Sequence, residues 1–387
     1  MRSEAERSRA AAGATPAGPD PDRAELDARV LAWTAEPLPP GDRSEEDEAR
    51  FDALARALFA FQFARCQPYR RFCEGRGRTP ASVTHWREIP AVPAGAFKEL
   101  ALRSFPPARE AHVFRTSGTA AERRGALHLD TLAPYEASLL PSFRRGVLPD
   151  LAPGARARLR ILAPSSAEAP DSSLSHMFGV ALAAFGDPGS GHDVRAGALD
   201  AAGLLAALES ACAEGAPVAL CGTAFAFVHL LDELAGRGAR LALPEGSRAM
   251  ETGGFKGRSR ELPRAALYGG IAAALGIPAA RIVNQYGMTE LGSQFYDSVL
   301  CRPGEPRRKL GPPWARVRVI DPETGADAAP GAVGVLRIHD LANTGSVAAI
   351  ETADLGRVVA DGFEVVGREP GAEARGCSIA ADEMLAS

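Results

Sequence analysis

From Glu45 to Cys66 the apolar residues Phe51, Leu54, Leu58, Phe61 and Phe63 return every three to four positions among charged neighbours. That spacing predicts an amphipathic helix. Pro90 to Leu100 starts extended, because its prolines disfavour helical backbone before them, and then turns toward a helix. Further on, short apolar runs alternate with helical periods. Arg156 to Ala163 and Ala216 to Cys221 read as buried strands, and Ala224 to Leu234 reads as a helix carrying Phe225, Val228, His229 and Leu231. Arg281 to Asn284 reads as a short strand that runs into Tyr286-Gly287. This alternation predicts an α/β architecture with buried sheets. Ala315 to Asp321, Gly334 to His339 and Phe363 to Val366 then read as strands parted by Gly and Pro turns, a β-rich and more antiparallel closing region.

The patterning sets the expected boundaries. Residues 1–22, rich in Ala, Gly, Pro and charge, carry too little apolar surface to fold and are expected to trail in solvent. One large domain is expected over 23–366, followed by a short tail at 367–387.

Composition narrows the class. In 387 residues, 46% hydrophobic and 24% charged positions are those of an ordinary globular protein. A net charge of −4 offers no basic face for nucleic acid. No apolar run reaches the ~20 residues a membrane helix needs, and the charged opening Met1 to Arg9 leads into no apolar signal core, so a cytoplasmic chain is expected. Cys66, Cys73, Cys212, Cys221, Cys301 and Cys377 are scattered without a CxxC pair, which argues against a disulfide framework or a zinc site.

Two stretches carry candidate chemistry. Val113 to Gly125 leads from a β-like run into a loop holding Thr116, Ser117, Gly118 and Thr119, with Arg123 and Arg124 behind it. Backbone N–H groups and hydroxyls in such a loop can donate to phosphate oxygens, and the arginines can add charge-assisted bonds. A plain turn has the same composition. Asn284 to Glu290 places Tyr286, Gly287, Thr289 and Glu290 just past a strand, where ligands of α/β sheets collect. Tyr286 can stack on a base, Thr289 can bond a phosphate, and Glu290 can hold Mg²⁺. The alternative is that Tyr286 belongs to the core and Glu290 is a helix-opening carboxylate.

Taken with Gly253-Gly254 between them, Thr352 to Gly356 (TADLG) and Gly367-Arg368, these stretches resemble, in order and wording, the adenylate-forming superfamily of acyl-CoA synthetases, peptide-synthetase adenylation domains and luciferases. Its phosphate loop reads TSGTTGxPKG, from which Ala120, Ala121, Arg123 and Arg124 depart, while its YGxTE stands intact at Tyr286 to Glu290. The resemblance implies the large N-terminal domain of that fold. ATP and Mg²⁺ would serve as cofactors, Gly253 and Gly254 would line an adenine pocket, Asp354 would bind the ribose hydroxyls, and Arg368, in the hinge-side G-R, would belong to the cofactor-binding set. Ala353 replaces the usual glycine before that aspartate.

Within the superfamily the wording is most similar to the LuxE-type acyl-protein synthetases of bacterial luminescence. The similarity rests on Val92 to Glu99 (VPAGAFKE), Thr252 to Gly257 (TGGFKG), Tyr286 to Tyr296 (YGMTELGSQFY) and Gly371 to Ser378 (GAEARGCS), and it covers roughly Arg65 onward. It implies that a carboxylic acid, typically a fatty acid, is activated as acyl-adenylate. The acyl group then passes to a cysteine near the C-terminus, here Cys377, and on to an acyl reductase or acyl-carrier partner. Arg375 nearby would favour the thiolate; an inert packed thiol is the alternative. Lys256 is expected beside the phosphates as a point charge in preference to Lys98. His176, in Ser175 to Gly179, falls where the superfamily gates its acid pocket, with a structural histidine as the alternative.

Full-length relatives carry a C-terminal subdomain of about 100 residues with a catalytic lysine. Here few residues follow Arg368 and none is lysine, so the C-terminal subdomain is expected to be reduced to a tail. Two rival readings share these motifs: a phenylacetate-type CoA ligase and a non-catalytic nucleotide-binding subunit of a reductase complex.

Overall fold

The computed structural model of the chain describes residues 20–38, 44–117, 123–253, 262–368 and 384. Helix α1 (Pro21–Thr34) is capped by Asp20, whose side chain accepts from Asp22 N. This helix starts two residues before Arg23, because Asp followed by Pro is itself a helix-start signal. Helix α2 (Glu45–Arg65) opens on a capping box between Ser44 and Asp47 and buries Phe51, Leu54, Leu58 and Phe61 as its period requires. It is followed by α3 (Gln67–Gly75), the short strand β1 (Val92–Pro93) and α4 (Ala96–Glu99).

A hairpin of β2 (His112–Arg115) and β3 (Ala126–Leu129) precedes α5 (Ala133–Val147). The alternating region then runs β4 (Arg158–Leu162), α6 (Ser173–Phe185), β5 (Gly191–His192), a small hairpin β6 (Val194–Arg195) and β7 (Ala198–Leu199), α7 (Ala201–Glu214), β8 (Val218–Thr223), α8 (Ala224–Gly236), β9 (Arg248–Thr252), α9 (Arg264–Leu275) and β10 (Ile282–Tyr286). The chain closes with β11 (Phe295–Asp297), β12 (Lys309–Leu310), β13 (Ala315–Ile320), β14 (Gly334–Asp340), β15 (Ala349–Val359) and β16 (Gly362–Arg368). Gly367 and Arg368 therefore belong to a strand, past the point where the tail was expected to start.

Among the described residues one twelve-stranded sheet dominates, in the order β13-β14-β15-β16-β12-β11-β10-β9-β8-β4-β5, with β1 added beside β15. From β5 to β10 the pairs are parallel; from β10 to β13 they are antiparallel. This is the expected change of character, but it falls at β10 rather than after residue 315. The parallel half is buried on both faces, as crossover helices demand. Ala219 and Cys221 of β8 join one apolar cluster, and Val218 and Leu220 join the other. No described helix is long and apolar enough to cross a membrane.

A buried polar chain ties α5 to the antiparallel half. Trp314 Nε1 donates to Ser138 Oγ at 2.8 Å, Ser138 meets Ser293 at 2.9 Å, and Ser293 N donates to Asp340 at 2.7 Å. Trp314 also meets Trp33 of α1 edge-on at 6.5 Å.

His339 of β14 is buried against the Trp86 ring at 4.9 Å, and burial brings its pKa down to about 3. The unfolded chain takes up a proton near pH 6.5 that the folded chain refuses. This residue's contribution to stability is therefore full above pH 6.5 and is lost as pH falls from there toward 3. Between pH 7 and pH 5 urea denaturation should show a loss of about 2 kcal/mol that is missing in His339→Phe. Equal losses in both proteins would place the titration elsewhere.

Candidate active site

The hairpin of β2 and β3 holds the first candidate loop by its base. Thr116 N donates to Gly125 O at 2.9 Å, and Gly125 N returns a bond to Thr116 Oγ1 at 2.8 Å. Arg124 donates from Nε to Thr116 O at 2.6 Å and from Nη1 to Asp171 at 2.8 Å, while Arg115 N donates to Asp171 O. Arg123 pairs with Glu99 of α4 at 2.5 Å. The two arginines expected at a phosphate are thus committed elsewhere: each meets a carboxylate remote in sequence and braces the loop. Ser117 lies exposed at the loop's edge; Gly118 and Thr119 lie outside the described residues.

Gly125 brings this loop to the second motif. A Cβ built there would lie 3.1 Å from Thr116 Cγ2 and 3.4 Å from Glu290 Oε1. Glu290 itself is buried, and its carbonyl accepts from Asn343 Nδ2 at 2.9 Å. Residues 287–294 form a turn and loop between β10 and β11, so the helix-opening alternative for Glu290 is overturned. The antiparallel return of β11 leaves no room for a helix there. Gly287 is exposed and Thr289 half-buried beside it.

The Tyr286 ring is packed, as the core reading expects. Its ring lies edge-on to Phe363 at 5.9 Å and tilted to Phe295 at 6.2 Å, while its hydroxyl donates to Asp354 Oδ2 at 2.8 Å. Burial, and then the Asp354 charge, push that hydroxyl's pKa well above its ordinary range, so it remains a donor. Arg368, opposite Asp354 in the β15–β16 pairing, donates from Nε to Asp354 Oδ1 at 2.9 Å. Three separate motifs therefore converge on one carboxylate.

Gly253 follows β9 directly with φ +75°, a left-handed turn that favours glycine. Its neighbour Thr252 donates to Gln285 O at 3.1 Å, which fixes the ends of β9 and β10 together. Gly254, Lys256 and Cys377 lie outside the described residues. His176 sits half-buried on α6 with Nε2 2.9 Å from Glu136. Its ring joins those of His112, Phe114 and Tyr135 at 5.4–5.9 Å, directly behind the β2 strand. Lys98, on α4, is half-buried.

Sequence reading gave no role to Glu251, Asp297 or Lys309, which form a buried polar row on the strands under Tyr286. The signal available was slight: an acid two residues before Gly253, and a lone lysine in an arginine-rich run.

The model of the family described as acyl-protein synthetase, LuxE, matches residues 193–386. The chain belongs to this family. No curated protein sequence matches it. Among solved structures, 2-hydroxyisobutyryl-CoA ligase in an open conformation, in complex with 2-HIB-AMP and CoA, is similar with TM-score 0.58 and 15% identity over 83% of this chain and 75% of that one. The same ligase in the postadenylation state, in complex with 2-HIB-AMP, gives TM-score 0.61 and 14% identity over 85% and 69%. The chain thus has the fold of the adenylate-forming ligases.

If Arg124 braces the loop, Arg124→Met should raise amide exchange of Thr116 and Gly125 by about tenfold, the worth of one charge-assisted bond. Unchanged exchange at both amides would assign the bracing to β2–β3 pairing alone.

Proposed function

We infer that this chain activates a carboxylic acid, most simply a fatty acid, with ATP and passes the acyl group to Cys377. The observation that carries the reading is the convergence of Tyr286 and Arg368 on Asp354, beside a loop whose base, Thr116 and Gly125, meets Glu290. An ionised carboxylate offers about four acceptor positions. Two are taken by Tyr286 and Arg368, which leaves Asp354 oriented with capacity for two ribose hydroxyls. Thr116 offers its hydroxyl, and Ser117, Gly118 and Thr119 offer hydroxyls and N–H groups, to phosphate; Gly253 and Gly254 allow close approach of the base, and Lys256 adds positive charge.

In the first step a carboxylate oxygen of the acid attacks the α-phosphorus of ATP; the bond to the β-phosphate oxygen breaks and pyrophosphate leaves. In the second, the Cys377 thiolate attacks the acyl carbon; the carbon–oxygen bond to AMP breaks, and the thiol proton has already gone to solvent. Oriented donors lower both barriers by meeting charge where it develops. His176, with its aromatic neighbours, is placed at the acid's side of the loop in this reading.

The chemistry around Glu290 fits Mg²⁺, a hard cation that takes one or two carboxylates and otherwise phosphate and water. Bound there, Mg²⁺ would offset phosphate charge as a Lewis acid.

Three of the other cysteines are poor nucleophiles. Burial pushes the thiols of Cys66, Cys73 and Cys221 up to about 11, 12 and 12. Cys212 donates to Ala242 O on the outer side of α7. Cys301 lines a depression of about 250 Å³ with Leu38, Arg145 and Tyr296. Tyr296 alternates with Phe295 and so faces away from Tyr286. From Arg368, nine residues of chain reach Cys377, a span of up to roughly 30 Å. Beyond it Met384 is buried again, its carbonyl accepting from Arg71 of α3 at 3.4 Å.

A panel of fatty, aryl and amino acids should include one that drives pyrophosphate release, with an acyl adduct by intact mass that Cys377→Ser removes. Asp354→Asn should raise the KM for ATP by at least about tenfold, the cost of one charged acceptor. Pyrophosphate release without an adduct would favour a CoA ligase, and ATP binding without any release would favour a non-catalytic subunit.

A further inference from the structure

Beneath the aromatic pair Tyr286 and Phe295 runs a buried polar row on the same sheet face. Side chains two apart on a strand share a face, so Asn284 lies under Tyr286 and Asp297 under Phe295. Glu251 is the register partner of Asn284, Lys309 of Asp297, and Phe363 of Lys309. The row therefore crosses β9, β10, β11 and β12 and ends on a ring that touches both Tyr286 and Phe295.

Every polar group in the row is directed. The Lys309 ammonium has three donors. It finds three acceptors: Asp297 Oδ1 at 2.8 Å, Asn284 O at 2.6 Å and Asn284 Oδ1. The Asn284 amide then donates from Nδ2 to Glu251 Oε1 at 2.8 Å, and the Tyr268 hydroxyl of α9 donates to the same oxygen at 2.9 Å. Asp297 also accepts from Asn284 N at 3.0 Å and pairs with Arg307 at 2.5 Å. Burial alone would raise the Asp297 pKa, yet Lys309 and Arg307 hold it below the usual carboxylate range. Lys309 and Asp297 have side-chain exposures of 5% and 2%.

Holding four strands together does not require this. Removing an ion from water costs several kcal/mol, and an apolar row of similar volume packs strands at least as well. What ions and amides add is a fixed direction at the carboxyl ends of β9 and β10, one residue short of Thr252 and two short of Tyr286. Those ends carry Gly253 and the Asp354 clasp.

We propose that Lys309 is a positioning residue for the nucleotide: through Asn284 and Glu251 it sets the strand ends that would seat the base and ribose of ATP. It touches no substrate, and the proposal rests on the ATP reading given above. Loss of its charge should weaken ATP while sparing the acid, whose site lies toward α6.

Lys309→Met tests this with the full chain, since Asp297 keeps Arg307 as its partner and the fold survives. ATP dissociation constants from calorimetry, corrected for the folded fraction, should rise about tenfold, as expected for a lost charge-assisted bond. The KM for ATP should follow, while the KM for the acid stays within twofold. The double variant Lys309→Met, Asp297→Asn, which keeps an acceptor for Asn284 N and Arg307, should recover melting temperature without recovering ATP affinity. Wild-type ATP affinity in Lys309→Met, or its return along with stability in the double variant, would overturn the proposal and leave the row a structural device. A wild-type chain that binds no ATP would instead overturn the nucleotide reading itself, and the positioning role with it.

Discussion

The site depends on one reversal of direction. Up to β10 each strand is parallel to its neighbour, and at β11 the chain turns back. Parallel strands present their carboxyl ends along one edge, where ligands of such sheets bind. The reversal brings a second set of strands to that edge, and β15 and β16 arrive there carrying Asp354 and Arg368. Without the turn at residues 287–294, Tyr286 and Asp354 would belong to separate layers. With it, a 2.8 Å hydrogen bond joins the Tyr286 hydroxyl to Asp354.

The turn needs support of its own, because a loop at a sheet edge leaves backbone groups to be satisfied. Ser293 N and Oγ bond Asp340, and Asn343 Nδ2 bonds both Glu290 O and Val347 O. The close approach of α5 matters too: a side chain at Gly146 would strike the Tyr296 ring at 2.4 Å. Packing on one face of β11 and the polar row on the other thus clamp the strand that returns from the site. Stability and geometry are supplied by the same contacts, so core substitutions near β11 should be felt at the nucleotide end.

Much of this was legible in sequence because the superfamily's wording is local: Tyr286 to Glu290 and Asp354 each sit within a short run. The α/β alternation was legible for the same reason, since periodicity is a local property. What could not be read were partnerships at long range. Arg123 and Arg124 look like phosphate ligands until Glu99 and Asp171 appear beside them, remote in the chain. Lys309 looks like one more surface lysine until three separate strands enclose it. Tyr286 could not be assigned to the core from its sequence, because Phe363 and Asp354, its partners, are remote in the chain. Its ring is packed, and its hydroxyl points to Asp354.

The charge budget of the site follows from these partnerships. Arg123, Arg124 and Arg368 each meet a carboxylate, and Lys309 is enclosed below the sheet edge. Among the described residues, a triphosphate seated at Thr116 would therefore be met by oriented N–H and hydroxyl dipoles, beside the charge proposed for Lys256; such dipoles need no counter-carboxylate and cost no reorganisation. Fixed dipoles also suit a reaction in which charge leaves the site with pyrophosphate. A tightly paired cluster of arginines would hold that product and slow the second step. In the proposed two-step transfer, a loop braced by arginines and offering dipoles to phosphate would stay rigid before the leaving group departs and permissive afterwards.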